Sequence, residues 1–223
     1  MRYNVPFYGN IDDTHCFQAV IKMVAAYFWP EEKYTWEDLD QITGKVPGLW
    51  TWPTLGCLWL QEKRIEVIVE GLFDYPAFIE KGGQYLMEFA GKEAGREQIS
   101  HSVLPLEISR ATQAIDQLTI HTVLPSCKSI KEYLEKGYLV ICNVNACRLN
   151  QKRGYVGHFV LIVGFDGDDL ILHDPGKPPL PFRRVNVSDF KLAWGDPEAR
   201  MRNLVAIRKR PEQQSLLREV SDL

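Results

Sequence analysis

Two apolar runs joined by a four-residue turn signal constrain the second half of this chain more than any other feature. Gly157 to Phe165 (GHFVLIVGF) and Leu170 to Asp174 (LILHD) flank Asp166-Gly167-Asp168-Asp169, the pattern of a β-hairpin. Tyr138 to Asn145 (YLVICNVN) is a third run of strand length, and Leu204 to Arg208 offers a last strand. Ser129 to Lys136 reads as a helix ended by Gly137. The first half has a different rhythm. Phe17, Val20, Ile21, Val24, Tyr27 and Phe28 recur at helical spacing until Pro30 closes the run. Tyr34 to Thr43 reads as a second helix, with Thr35 and Asp38 spaced close to a capping box. After a Gly/Pro/Trp loop from Gly44 to Pro53, Thr54 to Glu62 reads as a helix and Arg64 to Glu70 as a strand. Residues 74–117 predict three helices, broken near Gly82-Gly83, Gly91 to Gly95 and Pro105. A helical first half followed by a sheet-forming second half predicts an α+β fold, with helices segregated to one side of an antiparallel sheet.

Composition narrows the function classes. The chain has 223 residues, 45% hydrophobic and 25% charged, with a formal net charge of -3. That balance predicts no nucleic-acid partner and no membrane-surface partner. No run approaches the ~18 apolar residues that a membrane span requires, and Met1-Arg2-Tyr3-Asn4 leads into Val5-Pro6-Phe7-Tyr8 without an apolar leader. The five cysteines are an odd number without a C-x-x-C pair, so neither a disulfide framework nor a zinc ribbon is suggested. The expectation is a cytoplasmic protein with free thiols. Oligomeric state is silent at this level.

Cys16 stands where a polar lead-in meets the first helix. Asp12, Asp13 and Thr14 are residue types that cap helices. A thiol in a first helical turn lies beside free backbone N–H groups and the positive end of the helix dipole, which favours the nucleophilic thiolate. A buried core cysteine is the plain alternative. Catalysis also needs a base and a group that orients the base. His158 follows Gly157 at the start of one hairpin strand, and Asp174 ends the next, ahead of Pro175-Gly176. A three-residue hairpin loop puts His158 and Asp174 on one sheet face as diagonal neighbours, whereas a two-residue loop puts them on opposite faces. The pairing therefore requires an odd loop or a bulge.

The run VPFYGNIDDTHCFQAV, followed downstream by IKEYLEKGYLVICNV and GHFVLIVGFDGDDLILHDPG, resembles the C39-like peptidase family of papain-like cysteine peptidases. The resemblance covers the start and residues 129–176, and the middle only loosely. It implies a single papain-like domain over residues 1–210, with a cleft between helical and sheet halves, and a charged tail over 211–223. It also implies Cys16 as nucleophile, His158 as base and Asp174 as its orienting partner, with no cofactor and no metal. Asn10 falls where the family keeps a glutamine of the oxyanion hole. His15 and Phe17 replace the family's Asp and Gly around the cysteine. His15 reads as a solvated neighbour, and Phe17 either narrows the cleft or starts the core. The implied activity is hydrolysis of an amide or peptide bond in a peptide or a small amide-containing substrate. A catalytically weak or inactive binding module and a cysteine acyltransferase are the alternatives. Cys142, Cys147 and His173 lack a standard metal-ligand spacing. Trp50 and Trp52 could line a groove, and Arg200, Arg202, Arg208, Lys209 and Arg210 form a basic run.

Overall fold

In the computed structural model, which describes residues 1–210, helix α1 (Cys16–Phe28) buries Phe17, Val20, Ile21, Val24 and Phe28 as one face. Its lead-in differs from expectation. The N-cap residue is His15 and makes no side-chain cap. Asp12 Oδ1 instead accepts from the Thr14 N–H at 2.6 Å, so the loop closes on itself before the helix begins. Helix α2 (Trp36–Thr43) opens on the Thr35–Asp38 capping box and closes on left-handed Gly44. Helix α3 (Thr54–Glu62) and strand β1 (Ile65–Gly71) follow.

Residues 74–117 hold four helices where three were expected: α4 (Tyr75–Lys81), α5 (Gly83–Ala90), α6 (Lys92–Ser100) and α7 (Leu104–Gln117). Gly82 and Gly91, both with positive φ, separate the first three. Gly95 does not break a helix. It lies inside α6, where a Cβ would come within 2.6 Å of the Met87 backbone of α5, so glycine permits the close approach. Pro105 sits in the first turn of α7, where its missing N–H has no intrahelical acceptor to lose.

The remaining elements are β2 (Thr119–Thr122), α8 (Cys127–Glu135), β3 (Leu139–Asn145), α9 (Ala146–Leu149), β4 (Gly157–Asp166), β5 (Asp169–Asp174), β6 (Leu180–Asn186), α10 (Val187–Trp194) and β7 (Asn203–Lys209). The strands form one seven-stranded sheet in the order β2-β1-β7-β3-β4-β5-β6. Among the described residues, only the β1–β2 pair is parallel. The late strand β7 is central, pairing with both β1 and β3.

Helices cover both faces of the sheet, which corrects the one-sided arrangement expected from sequence. On one face Phe17, Val20 and Ile21 of α1 and Cys57 and Leu60 of α3 pack with Leu139, Ile141, Phe159 and Leu161. On the other, Ile130 and Leu134 of α8 and Phe190 and Trp194 of α10 pack with Val140, Cys142, Val160 and Ile162. The physical reason is visible in β3 and β4. Their apolar runs are continuous rather than alternating, so both faces must be kept from water. A third cluster, around Phe78, Tyr85 and Leu86, is packed by Trp52 and Phe73. Among the described residues, no helix is long and apolar enough to cross a membrane. The expected charged tail falls on residues 211–223, outside the described residues.

Candidate active site

The hairpin of β4 and β5 decides whether His158 and Asp174 can meet. Its turn is the two-residue one, with Asp166 paired to Asp169 and Phe165 to Leu170. A register shift between Ile162 and Gly164 then restores the parity that this turn would have lost. Leu161 pairs with His173, one step from Val160 and Asp174, and the two polar side chains share a face. The bulge is held from outside by the chain's first residues. Arg2 bridges to Gly164, and the Tyr3 N–H donates to Val163 O at 2.7 Å. A Cβ on Gly164 would lie 2.4 Å from Met1 O.

His158 Nε2 lies 2.7 Å from Asp174 Oδ1, and both side chains are buried. Cys16, the half-buried first residue of α1, lies close enough to His158 for the imidazole to act on its ionisation. The structure thus brings His158 against Asp174 and leaves Cys16 beside the imidazole. Burial alone would raise the Cys16 pKa. The His158 hydrogen bond and charge outweigh it, together with the Phe159 and Phe17 backbone N–H groups, and the thiol is shifted below its ordinary value. Burial likewise opposes protonation of His158, but Asp174 and Cys16 carry its pKa up to about 9. Burial pushes the Cys57, Cys127 and Cys142 thiols the other way, upward.

Asp174 is satisfied on every side. Oδ1 also accepts from the Gly176 N–H at 2.9 Å, and Oδ2 accepts from Arg183 Nη1 at 2.7 Å. Burial would raise its pKa, but the His158 contact, the Gly176 N–H and Arg183 hold it low. Arg183 is fixed in turn by Leu149 O at 2.7 Å and Asn150 Oδ1 at 2.9 Å. Sequence reasoning missed Arg183, because it lies on edge strand β6, which is mostly exposed and carries little apolar patterning. Gly176 was also missed as a site residue. A Cβ there would sit 2.9 Å from Asp174 Oδ1 and 3.4 Å from His158 Nε2, so the Pro-Gly after Asp174 was the available signal.

Asn10 is brought alongside by a stapled N-terminal segment. His173 Nε2 contacts Val5 O at 2.9 Å, and the Asn10 N–H donates to Pro175 O at 2.8 Å. The Asn10 Oδ1 accepts from the His15 N–H at 3.1 Å and the Asp12 N–H at 3.3 Å. Its amide nitrogen is the end without a partner among the described residues. His15 is not the solvated neighbour expected. Its side chain is 13% exposed and lies between Asp12 and Asp40. Phe17 belongs to the core. It is 1% exposed, packs on Phe159 with ring centroids 4.8 Å apart, and lies against Gly56, where a Cβ would approach its ring to 2.7 Å.

The weaker sequence candidates scatter. Cys142 faces the α8–α10 core. His173 is buried and uses its second ring nitrogen to accept from the Phe182 N–H at 3.1 Å. Trp52 is packed with Phe73 and Phe78, while Trp50 is 40% exposed and stacks on His101. In the basic run, Arg200 pairs with Glu198 and Arg208 with Glu66.

Two solved structures share this architecture. The peptidase domain of Streptococcus ComA, described as a bi-functional ABC transporter involved in a quorum sensing pathway, aligns with a TM-score of 0.54 at 12% identity, over 93% of this chain and 100% of that one. A protein from Bacillus anthracis described as a C39-like peptidase aligns with a TM-score of 0.50 at 13% identity, over 93% of this chain and 96% of that one. The fold is therefore the α+β, papain-like fold of C39 peptidase domains. No family model matches the sequence, and no curated protein does.

Proposed function

We propose that this protein is a papain-like cysteine hydrolase that opens an amide or peptide bond through an acyl-enzyme on Cys16. The observation that carries the reading is the buried His158–Asp174 pair, backed by Arg183, beside a Cys16 thiol whose pKa is lowered by His158. The Cys16 thiolate attacks the carbonyl carbon, and its former proton is held on His158. Asp174 fixes the imidazole so that Nδ1 faces the sulfur. The negative charge that develops on the carbonyl oxygen is met by the Cys16 backbone N–H, free because it lies in a first helical turn, and by the Asn10 side-chain amide. His158, which keeps its proton up to about 9, then gives it to the leaving amine. Water, activated by the now neutral imidazole, releases the acyl group. An amine or thiol acceptor in place of water would make the same first half-reaction an acyl transfer. A nucleophile that must stay a thiol suits a reducing compartment, and we assign the protein to the cytoplasm on that ground.

Trapping of the acyl-enzyme tests the proposal. After brief exposure to p-nitrophenyl acetate and acid quench, intact-mass and peptide analysis is expected to find one acetyl group on Cys16. Cys16→Ala should lose it, and His158→Ala should form it at least ~10²-fold more slowly. Absence of any adduct on Cys16 would point to a non-catalytic binding module that keeps the fold.

A further inference from the structure

His15 is a partly buried titratable side chain beside the site that the mechanism above does not use. Its Nδ1 lies 2.8 Å from Asp12 Oδ2 and its Nε2 3.2 Å from Asp40 Oδ1. The ring edge rests on Trp36, with centroids 6.1 Å apart. Asp12 belongs to the loop ahead of α1, whereas Asp40 belongs to α2, so one imidazole joins two parts of the chain. The contact to Asp40 is electrostatic rather than a well-aligned hydrogen bond, because Asp40 Oδ1 is buried and makes none. Lys45 lies close enough for the charges of Asp12, Asp40 and Cys16 to act on it, with its Nζ donating to Leu49 O at 2.8 Å.

The same two residues, His15 and Asp12, donate their backbone N–H groups to Asn10 Oδ1. We propose that His15 is a positioning residue, whose ring, clamped between Asp12 and Asp40, ties the 10–15 loop to α2 and so holds the Asn10 amide toward the oxyanion. This rests on the hydrolase reading above. The clamp acts where asparagine replaces the longer side chain expected there, so the loop backbone must supply the placement. A displacement of about 1 Å at such a donor is enough to cost up to roughly 10²-fold in rate.

Two reactions of the same sulfur separate this role from a general structural one. Alkylation by iodoacetamide displaces iodide at a saturated carbon and forms no oxyanion. Acylation by p-nitrophenyl acetate passes through a tetrahedral oxyanion and expels p-nitrophenolate. His15→Ala is expected to slow acylation of Cys16 by roughly 10–100-fold while alkylation stays within about 2-fold of wild type. Asp40→Ala, which leaves the loop sequence intact and covers the case where His15→Ala does not fold, should do the same, and Asp40→Glu should recover part of the loss. In an Asn10→Ala background, His15→Ala should cost nothing more, because the donor it places is gone. The proposal is overturned if both variants leave the ratio of acylation to alkylation unchanged, or if the Asn10 and His15 losses multiply. Failure of wild-type Cys16 to acylate at all would instead remove the hydrolase reading, and this proposal with it.

Discussion

Asp174 accepts from a histidine, a backbone amide and an arginine at once, and a buried carboxylate leaves the water only on such terms. Arg183 supplies the contact on the side facing away from His158. Arg183→Ala is therefore expected to lower stability by about 1–3 kcal/mol, the usual cost of stranding a buried acceptor, as read by urea unfolding. Arg183→Lys should recover little, since an ammonium cannot reproduce the fork that reaches Asp174 and Leu149 together. An unchanged urea midpoint in Arg183→Ala would show that Asp174 does not depend on it. Cys16, His158 and Asp174 were legible in the sequence because each carries a local cue: a helix start, a Gly-His strand, an Asp-Pro strand end. Arg183 and Asp40 were not legible. They meet Asp174 and His15 through sheet pairing and helix packing, which no nearby residue announces.

Between elements, the packing of α1 on α3 answers what the bulky residue after Cys16 does. The Phe17 ring fills the space that Gly56 leaves open, so its bulk is spent in the core. Gly56→Ala would drive a methyl group into that ring, and the expected cost is about 1–3 kcal/mol in thermal or urea unfolding, the typical price of overpacking. Phe17→Leu should remove part of that cost, so that the two substitutions are clearly non-additive. Strict additivity would contradict the contact. The β4–β5 hairpin shows the same dependence on neighbours. Its turn type was open in the sequence, and the bulge that rescues the parity lies under Arg2 and Tyr3, more than 150 positions earlier in the chain by residue number.

At the scale of the whole molecule, Cys16, the proposed nucleophile, comes from the helical first half, while His158 and Asp174, the proposed base and orienting acid, come from the sheet of the second half. The α+β class was legible from the change of rhythm near residue 120. The two-sided helical cover is written in the continuous apolar runs of β3 and β4, which leave neither face fit for water, but which helices supply it is not. The helices of residues 75–117 were undercounted by one because α6 (Lys92–Ser100) is short and polar and buries Gly95 alone, so no apolar stripe marks it. The central claim is that the two halves meet as a thiolate facing an imidazolium. The direct measurement is the alkylation rate of each cysteine by iodoacetamide against pH, read by peptide mass spectrometry in wild type and His158→Ala. The account predicts that Cys16 reacts at about pH 6 at least ~10-fold faster than an ordinary thiol, and that His158→Ala abolishes the advantage. A Cys16 rate that climbs only near pH 8.5, as a free cysteine's does, and that ignores the loss of His158, would contradict it.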